Sequence, residues 1–204
     1  GLAIDMIHAL GERLGFEPEI KRMPWMRCLN ELEDGRIDVL FYASFKEDRK
    51  VMGRYPEVNG NIDNTRRFSS ASYAFYKLKD SELNFDGSNY EIFTGLVGAP
   101  RGYSIVGDLK KKGLTIDESP GTNLDFEKLI RGRLQAVAAL ELNGDYYLLT
   151  NEEFNSKIEK MEPLIVEKPY YFMISHQFYE KNKALAEKIW DTIAEIREDP
   201  NFKK

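Results

Sequence analysis

The chain has 204 residues, of which 29 are basic and 34 acidic, giving a formal net charge of -5 at pH 7. Nucleic-acid surfaces concentrate positive charge, and because this sequence has no such concentration, a nucleic-acid partner is not expected. Hydrophobic residues make up 42% and aromatic residues 12%, which is enough for a packed core in one domain or two small ones and excludes a disordered chain. No run approaches the roughly 20 apolar residues that span a membrane. The opening Gly1-Leu2-Ala3-Ile4 carries no signal-peptide pattern, as expected of a trimmed mature protein or an excised domain.

Hydrophobic periodicity predicts helices and strands that alternate along the chain. The predicted helices cover residues 3–14, 24–35, 103–112, 123–131 and 184–196, and Lys46–Arg49 predicts a short helical turn. The predicted strands cover 17–22, 37–43, 73–78, 95–99, 114–117 and 134–140, with short apolar stretches at 164–166 and 170–174. Strands separated by helices of this length favour right-handed crossovers and parallel pairing, so the predicted fold class is α/β.

One pattern occurs twice, 97 residues apart. In each copy an amphipathic helix ends on a glycine, Gly35 or Gly132, and an apolar strand follows the next arginine. Glycine can take the left-handed conformation that ends a helix. The repeat therefore predicts two similar half-domains with a cleft between them, and clefts are where small ligands bind.

The junction after the first copy supplies a candidate binding group. Ser44 and Arg49 place a hydroxyl and a guanidinium five residues apart at the carboxyl end of a predicted strand, where α/β sheets bind ligands. Arginine suits a carboxylate because its planar fork donates two parallel hydrogen bonds. Tyr42 precedes them and completes this candidate set. The alternative is an ordinary surface salt bridge within Lys46–Arg49.

A second candidate lies at the turn Arg101-Gly102-Tyr103-Ser104, between a strand and the start of a helix. Backbone amides at a helix N-terminus can bind an anion. The turn lacks the spacing of a nucleotide-binding loop.

The remaining reactive residue types suggest structural roles. Trp25 could present its indole to the cleft as an apolar wall or cation platform, or simply pack in the core. Cys28 lies at helical spacing with apolar residues and is expected to be a buried thiol. His8 and His176 have no partners at metal-ligand spacing, so we expect no metal and no cofactor. No arrangement of nucleophile, acid and base argues for catalysis.

Together these segments resemble the type II periplasmic solute-binding fold, specifically the polar-amino-acid-type proteins of ABC importers, the family 3 extracellular solute-binding proteins. The resemblance covers almost the whole chain. It rests on these segments: Gly1-Leu-Ala-Ile-Asp5-Met with the Leu10–Gly15 helix end, Trp25 with Leu32-x-x-Gly35-x-x-Asp38, Ser44–Arg49, Val97-Gly-x-x-x-Gly102-Tyr-Ser104, and Leu129-x-x-Gly132-Arg133.

The resemblance implies two α/β lobes, with mixed and mostly parallel sheets, joined by two crossing strands near residues 69–72 and 168–172. Lobe 1 would comprise residues 1–70 and 171–204, and lobe 2 residues 71–170, with the ligand cleft between them. The C-terminal helix would return to lobe 1.

By the same resemblance, particular residues of this chain acquire expected roles. Arg49 would bind a ligand α-carboxylate, with Ser44 and the turn Gly102–Ser104 as further donors, while Trp25 and Arg101 would line the side-chain pocket.

One departure concerns the ligand ammonium. The aspartate that holds it in such proteins aligns with Leu140, and Glu141 could replace it only if the strand has already ended there. The ligand would then lack an α-ammonium. The chain also begins at the family's first helix, without the leading strand and its ligand-contacting aromatic residue.

The expected function is therefore non-enzymatic capture of a small carboxylated solute, an amino acid or related organic acid, by lobe closure. The implied protein is a periplasmic monomer that serves an ABC permease. One alternative is the outer sensor domain of a membrane receptor. Another is an enzyme similar to cyclohexadienyl dehydratases, with Glu141 as the acid, and a third is a scaffold whose cleft has lost its ligand.

Overall fold

Helices and strands alternate through most of the chain, and the computed structural model describes residues 1–202. The α-helices are α1 (Leu2–Leu14), α2 (Trp25–Glu33), α3 (Ser104–Lys111), α4 (Thr122–Ile130), α5 (Glu141–Thr150), α6 (Glu152–Lys157), α7 (His176–Lys181) and α8 (Lys183–Glu198). The strands are β1 (Val39–Ser44), β2 (Glu57–Val58), β3 (Asn61–Ile62), β4 (Ser69–Leu78), β5 (Leu96–Pro100), β6 (Thr115–Ser119), β7 (Ala136–Leu140), β8 (Ile158–Lys160) and β9 (Val166–Ile174). Short 3₁₀ helices lie at Glu47–Val51 and Asn64–Arg66.

The residues form two compact units. Unit 1 contains residues 1–70 and the chain from Pro169 onward, and unit 2 contains Ala71–Lys168. The chain passes from one unit to the other twice, once inside β4 and once inside β9.

Unit 1 is built on the apolar faces of α1 and α8. Leu10 of α1 and Ile193 of α8 belong to one buried cluster with the aromatic residues Phe68 and Phe172. Trp190 of α8 is fully buried, and its indole nitrogen donates to the Phe172 carbonyl at 2.8 Å. This hydrogen bond satisfies the one polar atom of a large apolar side chain, so α8 is fixed against β9.

A second cluster in unit 1 supports the candidate residues. Strand β1 pairs with β9 in antiparallel fashion, and Leu29 and Leu32 of α2 pack beside Leu40 and Ala43 of β1. Side chains alternate between the two faces of a strand, so the β1 residues that do not pack on α2 are available to the other face.

Unit 2 has a mixed sheet. Strand β5 pairs in parallel with both β6 and β7, and β4 pairs in antiparallel fashion with β7 and β8. Phe126 and Leu129 of α4 pack against Val137 of β7, at 0% exposure for all three. Parallel strands joined by helices are the predicted α/β arrangement, and this prediction is confirmed.

The repeated pattern corresponds to two helix ends with matching glycine conformations and hydrogen bonds. Gly35 and Gly132 have φ angles of 69° and 68°. The next residue, Arg36 or Arg133, donates its amide back into the last helical turn at 2.8 or 3.0 Å. These bonds form the Schellman motif, which satisfies carbonyls that a helix end would leave unpaired. A strand then begins four residues after each glycine.

Gly132→Ala is expected to lower the free energy of unfolding by about 1 kcal/mol, since a left-handed conformation strains any residue with a Cβ. A Cβ at Gly132 would meet no atom within 4 Å, so strain alone is tested. Gly107→Ala is the matched control, because Gly107 lies inside α3 with open space around it, and alanine there should stabilise by about 0.5–1 kcal/mol. Urea unfolding of both variants measures the difference, and equal signs would contradict this account.

Several parts of the chain differ from the prediction. The predicted strand at 17–22 was wrong: these residues have no strand partner, and Pro18, which has no amide hydrogen to donate, packs beside Gly11. Helices α5, α6 and α7 and strands β2, β3 and β8 were not predicted. The predicted stretches 164–166 and 170–174 are not separate strands, because the single strand β9 runs from Val166 to Ile174.

Candidate functional site

Four side chains of unit 1 gather where β1 ends, and we call Trp25, Ser44, Arg49 and Tyr55 the Arg49 cluster. Strand β1 ends at Ser44, and the 3₁₀ helix that follows turns Arg49 back toward it. The Arg49 Nη1 donates to the Ser44 carbonyl at 2.8 Å and to its hydroxyl at 3.3 Å. Arg49 is only 3% exposed. A guanidinium held in this way is oriented before any ligand arrives.

The charged segment that follows β1 does form surface ion pairs. Lys46 pairs with Asp48 at 3.0 Å, and Lys50 pairs with Glu47 at 3.3 Å. The Arg49 guanidinium, by contrast, is buried and donates to Ser44.

Trp25 supports the guanidinium from one face. The Arg49 Cζ lies 5.3 Å from the centre of the Trp25 ring, within the range of a cation–π interaction. Trp25 begins α2 and packs, partly buried, at the border of the cluster formed by Leu29 and Leu32. The Trp25 ring therefore packs at the border of this apolar cluster and also faces the Arg49 guanidinium.

Tyr42 has an unusual backbone. Its φ angle is 61°, and it lies in a bulge where the β1–β9 register shifts between Leu40 and Ala43. The ring is 39% exposed and meets Phe68 edge-on at 5.1 Å. A non-glycine residue in this region costs about 1–3 kcal/mol, and such strain concentrates at functional sites.

Tyr55 is a member of the Arg49 cluster that sequence reasoning missed. Its hydroxyl donates to the Ser44 carbonyl at 3.0 Å, so that carbonyl accepts from both Tyr55 and Arg49. Burial raises the pKa of Tyr55, which keeps the phenol neutral. Tyr55 lies 11 residues after Ser44, beyond the 3₁₀ helix Glu47–Val51, and no spacing rule would have paired them.

In unit 2 the turn from Arg101 to Ser104, which we call the Ser104 turn, joins β5 to α3. Gly102 has a φ angle of 76°, and the Arg101 amide donates to the Ser119 carbonyl at 2.7 Å. Ser104 is buried as the first residue of α3. The Lys168 Nζ donates to the Ser104 hydroxyl at 3.0 Å.

The Arg101 side chain and Glu118 lie beside the Ser104 turn. Arg101 is exposed and donates to the Glu118 carbonyl at 3.4 Å. Lys110 donates to the Glu118 carboxylate at 2.7 Å and holds the pKa of that carboxyl below its ordinary value. Glu118 is therefore ionised near neutral pH and offsets one positive charge at the turn.

Glu141 lies in a separate polar network. Strand β7 ends at Leu140, the position aligned with the expected aspartate, and α5 begins at Glu141, so the strand has ended by Glu141. The Lys160 Nζ donates to Glu141 and to Asp145, each at 2.8 Å. The Tyr76 hydroxyl donates to Asp145 at 2.9 Å, and burial together with Asp145 raises the Tyr76 pKa. Glu141 thus already has a cationic partner from its own unit.

The other reactive side chains are held by local contacts. Cys28 is partly buried beside the α2 cluster, and burial raises the pKa of its thiol. His176 contacts the Lys50 carbonyl at 2.9 Å. Within residues 1–202, no group of three or more His, Cys, Asp or Glu side chains is arranged to hold a metal.

The model for the bacterial extracellular solute-binding proteins, family 3, matches residues 1–204. The chain belongs to this family. No curated protein matches the sequence significantly. Across residues 1–202, no helix of this solute-binding protein is both long and apolar enough to cross a membrane.

Solved structures of similar fold cover the whole chain. An ancestral arginine-binding protein bound to glutamine has 22% identity and a TM-score of 0.78, with 84% of its own chain covered. A histidine kinase sensor domain with similarity to periplasmic binding proteins has 18% identity and a TM-score of 0.81, with 82% covered. The GluR0 ligand-binding core from Nostoc punctiforme, in complex with L-glutamate, has 13% identity and a TM-score of 0.74, with 87% covered. These similarities establish the type II periplasmic-binding-protein fold.

Proposed function

We propose that the chain captures a small carboxylated solute, an amino acid or a related organic acid, without transforming it. The observation that carries this proposal is the buried Arg49 guanidinium, fixed by Ser44 and by the Trp25 ring. A planar guanidinium binds a carboxylate through two parallel hydrogen bonds, and burial strengthens each of them.

Three observations support a ligand role for the Arg49 cluster. Trp25 at the start of α2, Tyr55 and Ala43, which precedes Ser44 in β1, all belong to or pack against one apolar cluster. Tyr42, two residues before Ser44 in β1, has a strained backbone. Solved structures of similar fold contain glutamine, arginine or L-glutamate, and each of these ligands has an α-carboxylate.

In this proposal the ligand is shared by the Arg49 cluster and the Ser104 turn, and lobe closure completes the site. A closed state favoured by the ligand is a shape that a membrane partner can recognise. We propose a periplasmic monomer that delivers its ligand to an ABC permease. The histidine kinase sensor among similar structures supports a second candidate, the ligand-binding sensor of a membrane receptor.

A dehydratase-like enzyme needs a general acid aimed at the ligand. Glu141 accepts a hydrogen bond from the Lys160 ammonium, and a carboxylate bound in this way is poorly suited to deliver a proton. We therefore propose binding without turnover. Dehydration of cyclohexadienyl acids by the purified chain would contradict this view.

A thermal-shift screen over amino acids and organic acids tests the proposed function. A ligand present at 100 times its dissociation constant should stabilise the chain by about 2.7 kcal/mol. We expect at least one carboxylate to raise the melting temperature, while the corresponding primary amide without a carboxylate does not. If no carboxylate raises it, the proposed function is wrong.

A further inference from the structure

The sequence contains the dipeptide Asn-Gly twice, in two different structural settings. Asn59-Gly60 forms the turn between β2 and β3, whereas Asn143-Gly144 lies near the start of α5. In this dipeptide the backbone nitrogen of the glycine can approach the asparagine side chain closely, because glycine has no Cβ to obstruct it. The two copies therefore share one local chemistry, and the fold decides whether each can use it.

The Asn59-Gly60 turn is exposed and left-handed at both residues. The φ angles are 51° and 78°, as in a two-residue hairpin turn whose central residues both have positive φ. Both residues are exposed to solvent, and a Cβ built on Gly60 would meet no atom within 4 Å. Water therefore reaches both residues of the turn.

The groups of this turn that could react are not held by hydrogen bonds. The Asn59 carbonyl accepts from the Asn61 side chain at 3.3 Å, but within residues 1–202 neither the Asn59 side-chain amide nor the Gly60 backbone N–H has a partner. Each strand of the hairpin has only two residues, and a two-stranded hairpin is marginally stable by itself. The tip can therefore open locally and bring the Asn59 side chain to the Gly60 nitrogen.

The second copy is held by packing. Gly144 is buried against the Tyr76 ring, so closely that a Cβ at this position would overlap it. The next residue, Asp145, accepts hydrogen bonds from Lys160 at 2.8 Å and from the Tyr76 hydroxyl at 2.9 Å. Moving the Asn143 side chain onto the Gly144 nitrogen would require this part of α5 to unwind and leave Tyr76, which costs free energy.

We propose that Asn59 is a site of spontaneous deamidation in the folded protein and that the fold protects Asn143 from the same reaction. The Gly60 nitrogen loses its proton to water and attacks the Asn59 Cγ, which forms an N–Cγ bond. The Cγ–Nδ2 bond breaks, and Nδ2 takes up a proton from water and leaves as ammonia. One water molecule then opens the five-membered succinimide. Addition at Cγ gives aspartate, and addition at the main-chain carbonyl carbon gives isoaspartate.

Either product changes the tip of the hairpin. A carboxylate replaces a neutral amide, so one added negative charge takes the formal net charge from -5 to -6. Isoaspartate also lengthens the main chain by one CH₂ group, which disturbs a two-residue turn. The base of the hairpin is fixed separately, because the Asp63 amide donates to the Pro56 carbonyl at 2.9 Å and Arg66 donates to the Glu57 carbonyl at 2.8 Å. The modified chain should therefore remain folded.

Timed incubation at pH 8, followed by peptide mass spectrometry, measures both sites in one sample. We expect Asn59 to react at least about 10-fold faster than Asn143 in the folded chain, because only Asn143 must wait for local unfolding. In guanidinium chloride the two rates should lie within about threefold of each other, since both copies are then the same dipeptide in an unfolded chain.

Hydroxylamine gives a second readout, because it cleaves the succinimide and cuts the chain after the reacting asparagine. From the folded chain we expect fragments of residues 1–59 and 60–204. Asn59→Gln should abolish these fragments, because glutamine would have to close a six-membered ring and does so far more slowly. Asn143→Gln is the matched control and should leave cleavage after residue 59 unchanged.

Three results would overturn the inference. The first is equal rates at Asn59 and Asn143 in the folded chain. The second is no product at Asn59 in the folded chain over a period in which the unfolded chain reacts. The third is a difference between the two sites that persists undiminished after unfolding, because the fold would then not be its cause. None of these results bears on the proposed solute binding, since the Arg49 cluster contains neither residue.

Discussion

Arg49→Ala is expected to weaken binding of a carboxylate ligand about 30-fold or more. The change removes both hydrogen bonds of the fork and leaves a buried ligand charge without its partner, a loss of about 2–5 kcal/mol. In the absence of ligand the cost should be below about 2 kcal/mol, because the Ser44 carbonyl still accepts from Tyr55. Calorimetric titration gives the affinity, and urea unfolding without ligand gives the stability.

Two further variants isolate the role of the guanidinium. Arg49→Lys keeps the charge and loses the planar fork, so we expect an affinity at least 10-fold weaker than the original. Arg66→Ala is the matched control, because Arg66 is also largely buried in unit 1 and lies 5.6 Å from an indole centre, that of Trp190. It should cost stability while leaving affinity unchanged. Equal losses of affinity in Arg49→Ala and Arg66→Ala would show that the effect is structural.

Asp125→Asn is expected to make the chain more stable at pH 8 by about 2–3 kcal/mol. Asp125 lies in α4 with 0% exposure, and neither carboxylate oxygen has a hydrogen-bond partner within residues 1–202. The neighbouring Ser119 favours the charged form, but its hydroxyl donates to the Gly121 carbonyl at 3.0 Å. Burial dominates and raises the pKa of Asp125 to about 6 from an ordinary value of 3.8.

The sign of the pH dependence follows from this difference. Below pH 3.8 the carboxyl is protonated in both the folded and unfolded states, so its ionisation costs no stability. Between pH 3.8 and about 6 the unfolded chain loses its proton first, so stability falls as pH rises. At about 1.4 kcal/mol per pH unit the total loss is about 3 kcal/mol, and it levels off above pH 6.

Asp117→Asn gives a control of opposite sign. The Lys128 Nζ donates to both Asp117 oxygens at 2.9 and 3.0 Å, so removing this charge should cost up to about 1 kcal/mol at pH 8. Urea unfolding between pH 4 and 8 compares the variants. The account of Asp125 fails if Asp125→Asn shows the same loss of stability between pH 4 and pH 6 as the unaltered chain.

Local sequence signals predicted much of the fold. The two helix ends at Gly35 and Gly132 were predictable from the sequence, because a left-handed glycine and the apolar strand after it are local features. The strand predicted at residues 17–22 does not form, because a strand needs a neighbouring strand to pair with and these residues have none. Helix α5 was missed because apolar residues such as Leu142 and Leu149 also occupy its exposed face.

The candidate site was predicted only in part. Ser44 and Arg49 are five residues apart, and their contact is a short-range consequence of a strand followed by a turn. Tyr55 and Lys168 meet their partners through tertiary packing, across 11 and 64 residues. No periodicity encodes such pairs. The polar partner of Glu141, Lys160, belongs to a strand that the sequence did not reveal.

A crystal structure with the carboxylate that most raises the melting temperature would test the central claim most directly. We predict that both oxygens of one ligand carboxylate lie within hydrogen-bonding distance of the Arg49 guanidinium, with the Ser44 hydroxyl nearby. A ligand whose carboxylate binds elsewhere, with Arg49 bonded only to protein groups, would contradict the account.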